Sequence, residues 1–363
     1  MKYHQMTTEY SCGVDLHSRQ MYICICDRDG NVAKHINVKG NNLKTLYRHL
    51  EPYLGDITVA CESTFNWYFL ADFCDYYDIH FVIGHALYMK HIHGGKAKND
   101  RIDSKKIAYL LRSNLLPIGY AYPAHLRSAR DLMRRRGYLV KRRAELLGHV
   151  SILGHQYNMV VKESEKKAKN RSELLERFHF ENNTYHNAKA DLDMINAFDE
   201  TIKDLEREIH KFTLKEARVS YNILKTIPGC GETLALSVLY EIDDIGRFPT
   251  VKDFSSYARL IKCRAESAGK SYGFSGAKIG NPHLKWTFGE MAIYAVIHDQ
   301  YIKAYFTEYL SQKYSLGKAY ACLAHKLGRC VYYMLTKGTV FTHQKFFTGK
   351  NEKKYRDSTK SEA

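Results

Sequence analysis

The sequence predicts an α/β domain with a mixed sheet at the N-terminus, followed by a helical region and an α-rich C-terminal domain. Three observations carry this prediction. Short apolar runs bounded by turn residues crowd the first part of the chain and then alternate with helical segments. From residue 126 to 218 the pattern changes to apolar residues at spacings of three and four within strongly charged sequence. Proline, which breaks helices, occurs once between residues 118 and 227.

The elements follow in order. Residues 10–30, "YSCGVDLHSRQMYICICDRDG", predict a β-hairpin whose first strand ends at Asp15, with "DRDGN" as the next turn. "HINVKGN" supplies a third strand, and "NNLKTLYRHLEPYL" at 41–54 has helical periodicity. "DITVACEST" at 56–64 is a strand ending at Glu62, "NWYFLADFCDYYD" a helix, and "IHFVIG" another strand. A helix over 103–113 starts near Asp103, and "PIGYAYPAH" closes the domain near residue 125. Residues 126–218 predict two long helices forming an antiparallel or intermolecular coiled coil, with the polar stretch 162–185 as tip or linker. The C-terminal domain spans 219–340, from "LKTIPGCGETLALSVLYEI" to "KAYACLAHKLGRCVYYMLTKG". The polar residues 341–363 are expected to be disordered.

Composition narrows the function. Against 39 Asp and Glu stand 55 Lys and Arg, a net charge of +16 over 363 residues. Such an excess favours polyanions, nucleic acid above all. The 28 tyrosines and 16 phenylalanines add stacking capacity, although many must fill the core. The start of the chain lacks the apolar segment of a signal peptide, and no apolar run is long enough to span a bilayer. Nine cysteines without CxxC pairs read as reduced thiols in a cytoplasmic protein without structural zinc.

Four acidic residues stand where chemistry could use them. Asp15 and Glu62 end predicted strands, the usual place for ligands in such sheets. Asp100 and Asp103, in the basic stretch "KNDRID", share one face if that segment is helical. Converging, the four would bind Mg2+ or Mn2+ through hard oxygen ligands; otherwise they are turn and cap residues. "IPGCGET" at 227–233 has the form of a helix–hairpin–helix turn, in which Gly229 and Gly231 would let backbone amides approach a phosphate; a plain helix–turn–helix is the equal alternative. The segment 127–143 carries eight Lys or Arg and one Asp, with Arg134, Arg135 and Arg136 at its centre, and would track a phosphate backbone or form a solvated helical face. Residues 262–286 are rich in Ser, Gly and Lys. There Ser267, Ser271 or Ser275 could be a nucleophile, with Lys270 and Lys278 among nearby phosphate-binding candidates.

Five blocks in this order resemble the insertion-sequence transposases of family one-ten, the DEDD-type serine recombinases guided by a bridge RNA. They are "GVDLHS" (13–18), "ACEST" (60–64), "KNDRIDSKKIAYLL" (98–111), "IPGCGETLA" (227–235), and "ESAGK" with "KIGNPHLKW". The resemblance implies a RuvC-like, RNase H-type N-terminal domain whose acidic positions are Asp15, Glu62, Asp100 and Asp103. It also implies a catalytic serine at Ser267, counted back from Gly280-Asn281. The sequence departs from the family pattern there, reading Glu266-Ser267-Ala268-Gly269, with Ala277 before Lys278.

The expectation that follows is a DNA transposase or recombinase that excises and integrates an insertion sequence. Its partners would be donor and target DNA, a structured guide RNA, and further copies of itself as a dimer or tetramer, with no membrane. Strand exchange would pass through a covalent serine–DNA linkage. The alternatives are a metal-dependent nuclease of Holliday-junction resolvase type, in which water attacks, and a non-catalytic nucleic-acid-binding scaffold.

Overall fold

A computed structural model describes residues 2–92, 99–179, 181–267, 270–275, 279–349 and 352–358. The chain forms two compact units, Met1–His125 and Leu126–Ala363.

The first unit is built on a five-stranded mixed sheet. Its strands are β1 (Tyr10–Leu16), β2 (Gln20–Cys26), β3 (Val32–Lys39), β4 (Ile57–Glu62) and β5 (His80–Gly84), in the spatial order β3-β2-β1-β4-β5. The first three form an antiparallel meander because only short turns join them. Strands β4 and β5 run parallel to β1, each reached through a helix: α1 (Leu43–Leu50) before β4 and α2 (Tyr68–Tyr76) before β5. Strand β4 is buried at every position but its last, Glu62, as its unbroken run of small and apolar residues requires. Helix α3 (Ala86–Ile92) follows β5.

Helix α4 (Asp100–Arg112) lies across β1 and β2. Gly13 makes this possible. A methyl group at residue 13 would stand 2.2 Å from the Ser104 carbonyl oxygen and 2.3 Å from the Ala108 nitrogen. The helix backbone therefore rests directly on the strand. The helix starts three residues earlier than the sequence predicts, because Asn99 caps it by accepting from the Arg101 amide. Asp100 and Asp103 thus both fall in its first turn, where the helix dipole favours negative charge.

The second unit opens with helix α5 (Ala124–Gln156) and returns through α7 (Asn182–Glu216). The ion pairs Arg136–Glu206, Arg143–Asp199 and His149–Asp191 step in opposite directions along the two helices, so they run antiparallel. At about 1.5 Å per residue each is roughly 50 Å long. The stretch 162–185, expected as a polar tip, folds into α6 (Arg171–Glu176) and the first turn of α7. It contributes Leu174 and Phe178 to a small core with Val150, Leu153, Leu192 and Ile195.

Helices α8 (Arg218–Lys225), α9 (Glu232–Ile242) and α10 (Val251–Tyr257) follow. A two-stranded antiparallel hairpin comes next, β6 (Cys263–Ser267) and β7 (Lys270–Ser275). The sequence predicts a Gly-flanked loop there, since Ser, Gly and Lys dominate. The chain continues through α11 (Pro282–His298), α12 (Gln300–Tyr305), α13 (Ser311–Lys313) and α14 (Leu316–Lys337). Leu224, Val238, Phe254, Phe288, Met291, Leu327 and Val331 lie in the common core.

Within 341–363, expected to be disordered, residues 341–349 and 352–358 are described, and 350, 351 and 359–363 lie outside the described residues. Residues 343–346 form α15 and 353–358 form α16. Phe346, Phe347 and Tyr355 are buried in the core, and Glu352 pairs with Lys326 at 2.7 Å. Three aromatics spaced through a polar segment anchor its described residues, a signal that mean polarity hides.

Among the described residues no helix is long and apolar enough to cross a membrane. The eight cysteines whose side chains are described are free thiols.

Candidate metal centre

Asp15 and Asp100 meet with His17 at one end of the two central parallel strands; Asp103 acts on Asp15 through its charge, and Glu62, at the end of the neighbouring strand, is not part of that three-residue cluster. Val14 and Cys61 are the last registered pair of β1 and β4, so Asp15 and Glu62 are the next residues on adjacent strands. Helix α4, seated on Gly13, brings its first turn to the same end. His17 Nε2 lies 3.1 Å from Asp15 Oδ2 and 3.3 Å from Asp100 Oδ1, and one ligand atom from each of the three residues falls within 4.8 Å of the others. Gln20 Nε2 donates to the second Asp100 oxygen at 3.5 Å. Asp103, one turn on, pairs with Lys106 at 3.1 Å.

The electrostatics are those of crowded acids. Burial raises the Asp15 carboxyl above the usual aspartate range. His17 opposes that rise, while the charges of Asp103 and Asp100 add to it. Concentrated negative charge that ionises reluctantly by itself suits a hard divalent cation. Carboxylate oxygens fit Mg2+ or Mn2+, and the imidazole between them is the one softer donor.

His17 was not among the residues singled out in the sequence. The signal was present: two residues beyond Asp15, it continues the alternation that puts i and i+2 on one face of a strand.

The other expected site residues are dispersed. Arg134 makes a two-pronged bond to Glu241, at 2.7 and 2.8 Å, and Glu241 is only 3% exposed. Arg136 bonds Glu206. Both arginines are thus ion-paired within the unit. Their partners lie far off in sequence, where charge counting cannot find them. Arg135 is exposed and lies over the Tyr138 ring, which Arg142 also approaches. Gly229 has a positive φ of 79°, and a methyl there would stand 2.3 Å from the Ala295 nitrogen. It is glycine so that its turn can touch α11. Gly231 caps α9 and has open space around it.

Ser267 pairs with Lys270 at the end of the β6–β7 hairpin. The side chains of Ser267 and Ser275, and the whole of Lys278, lie outside the described residues. Ser271 and Lys270 are exposed on β7. The base of the hairpin is clamped: Arg259 Nε donates to the Ile279 and Gly280 carbonyls, and the Asn281 amide donates to Tyr257.

Two family models match the chain. Residues 12–153 match one for DEDD-type transposases, and residues 221–307 match one described as "Transposase IS116/IS110/IS902 family". No curated protein matches it. The protein is thus a DNA transposase, an enzyme that cuts and rejoins DNA. It belongs to the IS110 family of insertion-sequence transposases.

Proposed function

We propose that the chain excises and integrates its own insertion sequence through a serine–DNA intermediate, in a reaction that needs a divalent metal ion. The observation that carries the metal part is the Asp15–His17–Asp100 cluster at the ends of parallel strands, inside the segment that matches the DEDD-type model. The strand order β3-β2-β1-β4-β5, with an antiparallel meander and two parallel strands, supports reading the first unit as RuvC-like. Asp15, Glu62, Asp100 and Asp103 would hold Mg2+ or Mn2+, with His17 as a neighbour able to orient two of the carboxylates. Such an ion, when bound, supplies Lewis-acid stabilisation of phosphate charge.

Ser267 is the proposed nucleophile. Its Oγ–P bond forms as one P–O bond to deoxyribose breaks; the serine proton is lost to base, and the departing sugar oxygen gains one. A hydroxyl of the second strand then attacks the phosphoserine, restoring Ser267 and a phosphodiester without ATP. A serine hydroxyl is a poor nucleophile unaided. Activation must come from groups brought to it in space.

A structured guide RNA pairing with donor and target would relieve the protein of reading long sequences. The excess of positive charge supports such a partner. The two long antiparallel helices support assembly of several copies, as a coiled-coil element between active sites.

The test is a nicked suicide substrate incubated with the full-length protein, Mg2+ and guide RNA, then denatured. A DNA–peptide adduct mapping to Ser267 is expected. An adduct at Ser271 or Ser275 would move the nucleophile. Cleaved ends with no adduct would favour the nuclease in which water attacks.

A further inference from the structure

Within the second unit, a cavity of about 730 Å3 opens between the α8–α9 turn and one face of α11. That volume falls in the range of small-molecule sites. Trp286, Glu290, Tyr294 and His298 recur every four residues along α11 and form one wall. The turn from Lys225 to Leu234 forms the other. Gly229 holds the two walls together through its backbone contact with Ala295, so the cavity is preformed.

Helix α11 is apolar on nearly every side. Leu284, Phe288, Met291 and Ala295 are fully buried, yet Trp286 is 49% exposed, Tyr294 44% and Ile297 63%. A helix that is apolar all round is ordinarily covered.

Three features select the occupant. The indole of Trp286 is half exposed, and the Tyr294 and His298 rings lie nearly parallel, 13° apart with centroids at 6.2 Å. Flat, exposed rings suit the face of a nucleobase. Glu290, between Trp286 and Tyr294, makes no hydrogen bond or ion pair among the described residues. An apolar protein partner would strand that carboxylate in a dry interface, which is costly. A base with N–H groups on its edge would satisfy it, and guanine, with adjacent N1–H and N2–H donors, would meet both oxygens. Opposite this ridge, Lys225 is free of ion pairs among the described residues. Helix α9 begins there at Gly231 without a side-chain cap, leaving its first amides as donors. These suit the phosphate attached to such a base. The remaining charges are answered elsewhere: Glu232 pairs with His210 at 2.6 Å and Arg136 with Glu206.

We propose that this cavity captures one unpaired guanine, the base whose adjacent N1–H and N2–H can meet both Glu290 oxygens, with its phosphate toward the start of α9. The proposal rests on the nucleic-acid function above and adds a base-selective site outside the acidic cluster.

The chain has two tryptophans, and Trp67 is buried in the first unit. In full-length W67F protein the fluorescence of Trp286 is therefore the reporter. Short oligothymidylates carrying one central dG, dC, dA or no insert, and the matching RNA strands, are titrated in. Quenching by the dG strand is expected, with affinity about tenfold or more above the all-dT strand. Quenching by DNA or by RNA identifies which of them supplies the base, and either supports the site. With labelled strands read by polarisation, W286A should lose most of the dG preference and E290Q should reduce it to about threefold or less. Equal binding of dG and dT strands without quenching, with duplex DNA still bound, would overturn the cavity alone. Failure to bind any nucleic acid would overturn the functional reading as well. If W286A instead changes the sedimentation size of the protein and leaves base preference untouched, the face is a protein interface and the proposal falls.

Discussion

Replacing Gly13 with alanine adds one methyl group at the contact that seats α4 on β1. That methyl would lie 2.2 Å from the Ser104 carbonyl oxygen and 2.3 Å from the Ala108 nitrogen, both backbone atoms that no rotamer change can move. Relief to ordinary van der Waals separation requires the helix to retreat by about 1 Å. Overpacking of this kind costs about 1–3 kcal/mol. The same displacement carries Asp100 and Asp103 away from Asp15, and a shift of about 1 Å in reacting groups can cost on the order of 10²-fold in rate. G13A should therefore lower the urea midpoint of the full-length protein and reduce recombination about a hundredfold, with weaker stabilisation by Mn2+. D100A, measured beside it, should lose activity while keeping the wild-type midpoint. Wild-type stability and rate in G13A would refute both the seating of α4 and its role in assembling the acids.

Further outcomes follow from the same structure. Alanine at Asp15, Glu62, Asp100 or Asp103 should leave folding intact and abolish recombination, and full activity in D100A and D103A would mean that the site is elsewhere. R134A should destabilise the second unit by about 2–4 kcal/mol in urea, because it strands the buried Glu241 carboxylate; the half-exposed arginine keeps this below the full cost of breaking a buried pair. Burial alone would raise the Glu241 carboxyl, but the bonds from Arg134 and Asn281 hold it below the usual glutamate range, so its contribution is present above that range and is lost as pH falls through the lowered value. Acid unfolding should accordingly flatten in E241Q. Gly148 sits mid-helix in α5 with open space beside it, so G148A should stabilise by about 0.5–1 kcal/mol, seen as a raised urea midpoint. Charge reversal at the exposed Arg135 should weaken RNA binding and its salt dependence without unfolding the protein, whereas reversal at Arg134 should unfold it first.

Much of the first unit could be read from local pattern. Most strands there are short apolar runs closed by turn residues, and the parallel pair β1 and β4 are largely buried along their length because both their faces are covered. Asp15 and Glu62 were visible as strand ends for the same reason. The two long helices were likewise visible, since apolar spacing repeats over many turns. What local pattern does not contain is the identity of a distant partner. Arg134 and Arg136 look like any surface arginines until Glu241 and Glu206 arrive from other helices. His17 acquires meaning only when α4 delivers Asp100 to the ring nitrogen that already faces Asp15, and Gly229 only when α11 presses against it. The β6–β7 hairpin lies in a stretch dominated by Ser, Gly and Lys, a composition that reads as loop and hides its short strands. Secondary structure is a property of neighbouring residues, whereas a site is made by residues that the chain's topology brings together, and the closeness of that approach is decided by packing.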